Sequence, residues 1–125
     1  MKVLGNHLLA EYYECDLEKI SGLEHIRTQL IAAAEACGAT VVESRFHQFS
    51  PQGVSGVVVL KESHITIHTW PEYKYAAVDI FTCGETINPH IAHKYLKEKF
   101  GASEDALIVV PRGDKKRFSI KFKQT

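Results

Sequence analysis

Between residues 49 and 84 this 125-residue sequence gathers serine, histidine, cysteine, carboxylate and aromatic side chains. His64, Thr66, His68 and Trp70 occupy alternate positions, with Ile65, Ile67 and Thr69 between them, the period-two pattern of a half-buried strand. A polar face of this kind either meets water or forms a site, and a surface strand with His and Thr is ordinary. If Lys61-Glu62 forms a two-residue hairpin loop, paired residues have numbers summing to 123, which sets Ser55 across from His68. A hydroxyl beside an imidazole is proton-transfer chemistry near neutral pH, the ordinary imidazole pKa being about 6.5. Lys-Glu lacks the Asn-Gly chemistry that such loops prefer, and strained backbone at this loop would mark a functional site.

The elements that must position these groups follow from periodicity and punctuation. Residues 3–14 read as a first strand. Ser21-Gly-Leu-Glu24 has the form of a capping box, followed by Leu23, Ile26, Leu30, Ile31 and Ala34 at helical spacing and a stop at Gly38. Strands are expected over 40–49, 54–60, 64–70 and 75–83, with Ser50-Pro-Gln-Gly53 as a turn. Asn88-Pro89 starts a second helix that carries Ile91, Tyr95, Leu96 and Phe100 inward. Residues 106–110 and 118–122 read as a closing hairpin. The fold class expected is α+β, a two-layer sandwich of a mainly antiparallel sheet with two helices on one face. The uncovered face leaves room for a partner.

Composition narrows the function classes. Fifteen Lys+Arg balance fifteen Asp+Glu, with pI ≈ 7.1, which argues against a nucleic-acid partner held through phosphates. No apolar run approaches the roughly 18 residues of a membrane span, and the N-terminus lacks the pattern of a signal peptide. Three cysteines with wide gaps, Cys15, Cys37 and Cys83, make neither a disulfide framework nor a Cys-x-x-Cys metal clip. The expectation is one cytoplasmic domain over 1–125, with no membrane or nucleic-acid partner. No metal site is expected: His64 and His68 would lie about 13 Å apart on one strand, and His90 with His93 has no obvious completing ligand. His7, His25 and His47 read as structural or solvent-facing, Cys15 and Cys37 as core residues or free thiols.

The run Lys61-Glu-Ser-His-Ile-Thr-Ile-His-Thr-Trp-Pro-Glu-Tyr73, followed by Ala77-Val-Asp-Ile-Phe-Thr-Cys-Gly84, resembles the short prokaryotic S-adenosylmethionine decarboxylase proenzymes. Phe49-x-x-x-Gly53-Val-Ser-Gly56 and Gly5-x-His7 fit the same family. The resemblance implies self-cleavage between Glu62 and Ser63 into a 1–62 chain and a 63–125 chain, leaving a covalently bound pyruvoyl group derived from Ser63. It implies His68 as the base that takes the Ser63 α-proton and Ser55 as its processing partner. It further implies a Schiff base between the pyruvoyl carbonyl and the substrate amine, with Cys83 as the proton donor after loss of carbon dioxide. Phe49 matches the adenine-stacking aromatic and Glu72 the ribose-binding carboxylate. Val3 lies where the family tends to place an adenine-packing residue, and Trp70, by residue type, is a candidate stacking surface for an adenine or for the active-site wall. Taken on residue type alone, Cys83 reads as a small buried hydrophobe, and Phe49 and Trp70 as core.

The function implied is decarboxylation of S-adenosylmethionine, supplying the aminopropyl donor of spermidine biosynthesis. Arginine or ornithine decarboxylation on the same scaffold is the alternative, as is a non-catalytic binding protein if the chain does not cleave itself. His68 lies five residues beyond Ser63, about 16 Å along a strand, too far to serve it within one hairpin. A homodimer with two shared sites is therefore expected. It would set Ser63 and Cys83 of one protomer against Ser55, His68, Phe49 and Glu72 of the other.

Overall fold

Alternating aliphatic and polar residues build a single sheet. The structure, a computed structural model, describes residues 3–114. In chain order it contains β1 (Gly5–Tyr13), α1 (Leu17–Ser21), α2 (Leu23–Ala36), β2 (Val41–Gln48), β3 (Val54–Leu60) and β4 (Ser63–Trp70). A 3-10 turn (Pro71–Tyr73), β5 (Tyr75–Cys83), α3 (Pro89–Lys99) and β6 (Glu104–Arg112) follow. The strands lie in the order β2-β3-β4-β5-β1-β6, and each neighbouring pair is antiparallel.

One face of the sheet holds the core. Leu8, Ala10 and Tyr12 of β1, Val54 and Val58 of β3, Ile65 and Ile67 of β4, and Val78 and Ile80 of β5 are buried there. Helix α2 sends in Ile26, Leu30, Ala33 and Ala34, and α3 sends in Ala92 and Leu96, with Phe100 just beyond its end. Full burial of each large aliphatic contributes about 1.5–3 kcal/mol. The alanines let α2 and α3 lie side by side across the sheet. Gly56 serves the same layer: a Cβ there would fall 1.9 Å from the Phe46 ring, which lies across it from β2. The opposite face has no covering layer among the described residues. This is the expected two-layer α+β architecture.

Local expectations changed in four places. Ser21 does not cap α2: it ends α1, and its hydroxyl donates to the Leu17 carbonyl. Gly22 takes the cap position without a side-chain bond, and Glu24 lies 3.9 Å from Arg27. Helix α1 itself was missed; Asp16 caps it by accepting from the Glu18 N–H. In α3, Ile91 is exposed while Ala92, His93 and Leu96 are buried, because the i, i+4 stripe toward the core is Ala92–Leu96. The strand expected at 106–110 extends over Glu104–Arg112 and pairs with β1. Its expected hairpin partner at 118–122 and the basic run Lys115-Lys116-Arg117 lie outside the described residues.

A polar chain, buried at Tyr12 and His93 and open to solvent at Asp105 and Lys97, fixes α3 to both β1 and β6. The Tyr12 hydroxyl lies 2.8 Å from His93 Nδ1 and 3.1 Å from the His93 carbonyl oxygen. His93 Nε2 is 2.8 Å from Asp105 Oδ2, and Lys97 Nζ is 2.8 Å from Asp105 Oδ1. Burial pushes the Tyr12 phenol upward, so it stays a neutral hydroxyl. The Lys97 ammonium, followed by His93, holds the Asp105 carboxyl below the usual carboxylate range. A depressed folded value stabilises the fold fully above the unfolded value of about 3.9, and that contribution is lost as pH falls through the folded value. Asp105→Asn is expected to lower Tm at pH 7 by about 4 °C, with the partial exposure of the Lys97 pair limiting the effect. The gap to the parent chain should narrow as the buffer is taken below about pH 4. Thermal melts across that range check this; a gap that persists at low pH would show that the carboxylate charge is not its source.

Candidate active site

The β3–β4 hairpin has the expected register, with Ser55 opposite His68 and Leu60 opposite Ser63. Ser55 Oγ lies 2.7 Å from His68 Nδ1, so the hydroxyl and imidazole meet on the uncovered face. The two-residue loop Lys61-Glu62 is followed by backbone that a side-chain-bearing residue seldom adopts: Ser63 has φ 157°. The strain for which the Lys-Glu loop is suspect falls on the residue after it.

Glu62 is held at both its main chain and its side chain. Its carbonyl oxygen accepts from the Cys83 backbone N–H at 3.2 Å and from the Cys83 thiol at 2.7 Å. Its carboxylate Oε1 accepts from the Thr40 N–H at 2.9 Å. That amide bond is the main reason its pKa is lowered. Cys83 ends β5, half-buried and paired across from Gly5. A cavity of about 360 Å³ opens here, lined by Val3, Gly5, Cys83 and Gly84 among others. Two donors on one carbonyl oxygen is the arrangement that stabilises charge on that oxygen when a nucleophile adds to its carbon.

A second cavity, of about 280 Å³, lies toward the other end of the hairpin, lined by Phe49, Ser55, His68, Trp70 and Glu72. Trp70 stacks on Tyr75 with ring centroids 5.4 Å apart and sits 6.2 Å from His68. Glu72 is exposed on the 3-10 turn that Pro71 begins. Phe49 stands at the head of a turn closed by its own N–H donating to the Gly53 carbonyl at 2.8 Å. Gly53 takes φ 107° there, a value open to glycine. Phe49 and Trp70 remain 48% and 40% exposed, so neither is core.

The predicted residues therefore form two groups within one chain. Glu62, Ser63, Cys83 and Val3 share one end; Ser55, His68, Phe49, Trp70 and Glu72 share the other. The intervening length of β4 is about 16 Å, and Ser63 and His68 differ in the face that strand alternation assigns them.

Several participants went unread in the sequence. Gln48 ties the Phe49 turn to the helices: its Nε2 donates to the Ser21 and Gly53 carbonyls at 3.1 Å each, and its Oε1 accepts from the Leu23 N–H at 3.0 Å. It thereby does the capping that Ser21 does not. A polar row also crosses the open face. Arg112 Nη1 is 3.3 Å from His7 Nδ1, His7 Nε2 is 3.9 Å from Asp79 Oδ1, and the Thr66 hydroxyl donates to Asp79. His64 stands 6.3 Å from the His7 ring, its pKa lowered by burial and then by His7. Alternation on β1 and β5 was the available signal for this row. Among the described residues no three His, Cys, Asp or Glu side chains come together in a way that could hold a metal ion, and no helix is long and apolar enough to cross a membrane.

Fold and site together define a two-layer α+β protein whose open face carries an imidazole–hydroxyl pair at one end and a thiol on a backbone carbonyl at the other. The model of the S-adenosylmethionine decarboxylase family matches residues 6–113. An S-adenosylmethionine decarboxylase proenzyme of Thermotoga maritima is 52% identical over 113 residues, 90% of this chain and 87% of that protein. One from Moorella thermoacetica is 51% identical over 90% of both chains. The crystal structure of the Aquifex aeolicus adenosylmethionine decarboxylase superposes with a TM-score of 0.86 at 38% identity, covering 97% of this chain and all of the other. The chain belongs to the S-adenosylmethionine decarboxylase family.

The Gln48 bonds yield a structural prediction. Gln48→Ala is expected to speed amide hydrogen exchange at Leu23 and Phe49 by about tenfold, the factor carried by one ordinary hydrogen bond. The Ile65 and Ile67 amides in the central sheet should be unchanged. Uniform acceleration across the sheet would mean that Gln48 supports the whole fold and not this turn.

Proposed function

We propose that this chain is a self-processing decarboxylase of S-adenosylmethionine, cleaved at Glu62–Ser63 and using the pyruvoyl group so formed. The observation that carries this reading is the paired donation of the Cys83 N–H and thiol to the Glu62 carbonyl oxygen, immediately before a serine of unusual backbone geometry. The Ser63 hydroxyl adds to the Glu62 carbonyl carbon, and the oxygen's developing charge meets those two donors. The C–N bond then breaks, leaving residues 62 and 63 joined through an ester. Removal of the Ser63 α-proton by His68 expels the Glu62 carboxylate and leaves a Cα=Cβ double bond at residue 63. Proton shift to the imine and addition of water release ammonia and leave the pyruvoyl carbonyl. The residues present fit such a group, since the site supplies the nucleophile, the polarised carbonyl and a half-buried thiol at the same position.

When formed, the pyruvoyl group supplies an electron sink for loss of carbon dioxide from a bound amine. On this reading Cys83, whose thiol meets the neighbouring Glu62 carbonyl, returns a proton beside residue 63. Phe49 and Trp70 offer exposed ring faces for an adenine, and Glu72 a carboxylate for ribose hydroxyls. The product is the aminopropyl donor of spermidine biosynthesis, and the enzyme acts in the cytoplasm.

The split of the site into two ends supports a homodimer. A two-fold axis lying between two stacked open faces, and running across the strands, brings the Cys83 end of one protomer to the His68 end of its partner. Each dimer then holds two composite sites. Exposed Tyr13, Trp70 and Ile108 on that face, at 39%, 40% and 60%, supply apolar area for the contact.

Intact-mass analysis under denaturing conditions tests the processing. The expected result is two fragments, 1–62 and a second one lighter by one ammonia than a chain starting with Ser63. Decarboxylation assays with S-adenosylmethionine, arginine and ornithine then test the substrate. An uncut chain that stays uncut would overturn the reading. The shared site has its own test: Ser63→Ala and His68→Ala chains, refolded together, should cleave the His68→Ala chain where neither variant cleaves alone. No cleavage in the mixture would exclude donation of His68 across the dimer.

A further inference from the structure

Glu62 makes one contact that the cleavage chemistry leaves unused. Its side-chain Oε1 accepts from the Thr40 N–H at 2.9 Å, while the Thr40 carbonyl accepts from the Lys61 N–H at 2.9 Å. Residues 61 and 62 are thus gripped at two points by one residue, just ahead of β2, and the β2–β3 pairing continues from there at Val41 and Leu60. The grip lies on the opposite side of Glu62 from Cys83, which holds the carbonyl. With its side chain fixed on Thr40 and its carbonyl fixed on Cys83, Glu62 cannot rotate about its backbone without breaking one set of bonds. The acceptor is a carboxylate held in its ionised form by this same amide, which makes the bond charge-assisted.

We infer that the Glu62 side chain is a positioning residue for self-cleavage, and that Thr40 retains the new chain end after the cut. This rests on the processing reading above and adds a role for a side chain that takes no part in bond exchange. Before cleavage, the tether fixes the plane of the 62–63 peptide so that its oxygen stays on the two Cys83 donors. After cleavage, residue 62 is a free terminus beside the cavity, and chain ends fray unless tied. The two Thr40 bonds involve no atom of the broken peptide, so they survive the reaction and keep residues 61–62 against β2.

The test uses the full chain with Glu62→Ala, Glu62→Gln and Glu62→Asp. Self-cleavage is followed by intact mass, and amide exchange at Thr40 and Lys61 is read by mass spectrometry or NMR. Glu62→Ala is expected to slow cleavage about tenfold, the worth of one lost orienting hydrogen bond. Glu62→Gln, which keeps an acceptor at the same reach, should restore cleavage to within about threefold. Glu62→Asp, one methylene short, should behave like Glu62→Ala. In uncleaved Ser63→Ala chains the Thr40 amide should lose protection when Glu62→Ala is added, while Lys61 stays protected. In the processed parent chain both amides should remain protected. Cleavage of Glu62→Ala at the parental rate, or unaltered Thr40 exchange, would overturn the tether while leaving the processing reading intact. A parent chain that never cleaves would overturn both.

Discussion

The antiparallel register of β3, β4 and β5 is the constraint on which the site depends. Pairing fixes Ser55 opposite His68 and Leu60 opposite Ser63 in one ladder, and Ser63 opposite Thr82 in the next. The second ladder delivers Cys83 to the Glu62 carbonyl. A one-residue slip in either ladder would turn the polar set toward the core and bring the aliphatic set out. The buried row Val58, Ile65, Ile67, Val78 and Ile80 opposes such a slip. The hydrophobic layer under α2 and α3 therefore sets the geometry of groups on the other side of the sheet that it never touches.

Much of this was legible because strand alternation is strict and the hairpin is short. Once Lys61-Glu62 is taken as a two-residue loop, the opposition of Ser55 and His68 follows by counting, and the chain honours it at 2.7 Å. What could not be read were contacts joining distant segments. Nothing local to Gln48 indicates bonds to Ser21, Leu23 and Gly53, and nothing local to Thr40 indicates its grip on residues 61 and 62. The failed capping box shows why. Ser21 and Glu24 have the right types and spacing, yet Asp16 starts a short helix earlier and places Ser21 at its end. Gln48, reaching in from the end of β2, then takes over the Leu23 N–H. His93 was missed for a related reason: its burial is made tolerable by Tyr12 and Asp105, which are 81 and 12 residues away.

The uncovered face poses a different physical question from the core. It carries His7, His64, Thr66, Asp79 and Glu11, and several of these bond along the sheet. Burial, and then the hydrogen bond its hydroxyl donates to Glu11, raise the Tyr75 pKa. His7 Nε2 is shielded from solvent yet has no hydrogen-bond partner among the described residues, with Asp79 beyond bonding reach at 3.9 Å. A face that mixes exposed aromatics with partly satisfied polar groups is poorly suited to a second dry core and better suited to a wet or polar interface. This agrees with the proposed stacking of two such faces, in which polar residues fix alignment and the aromatics at the strand ends contribute area.

The composite arrangement also explains why one thiol can serve both processing and turnover under the proposed function. Before cleavage Cys83 donates to an amide carbonyl, whose oxygen gains charge only when Ser63 adds to its carbon. After the proposed cleavage that carbon would belong to a carboxylate on a separate chain end, and residue 63 would begin the other chain in the same place. Neither Cys83 nor Thr40 has to move, because both are fixed by the sheet and by the residue that precedes β2. In the proposed dimer the imidazole would come from the opposite end of a partner's hairpin, so each protomer would fold with its base held away from its own nucleophile. Under that proposal cleavage would be coupled to assembly, since within one chain Ser63 and His68 lie about 16 Å apart along β4. The same two-fold contact that supplies His68 would also bring Phe49 and Glu72, so processing and substrate binding become possible together.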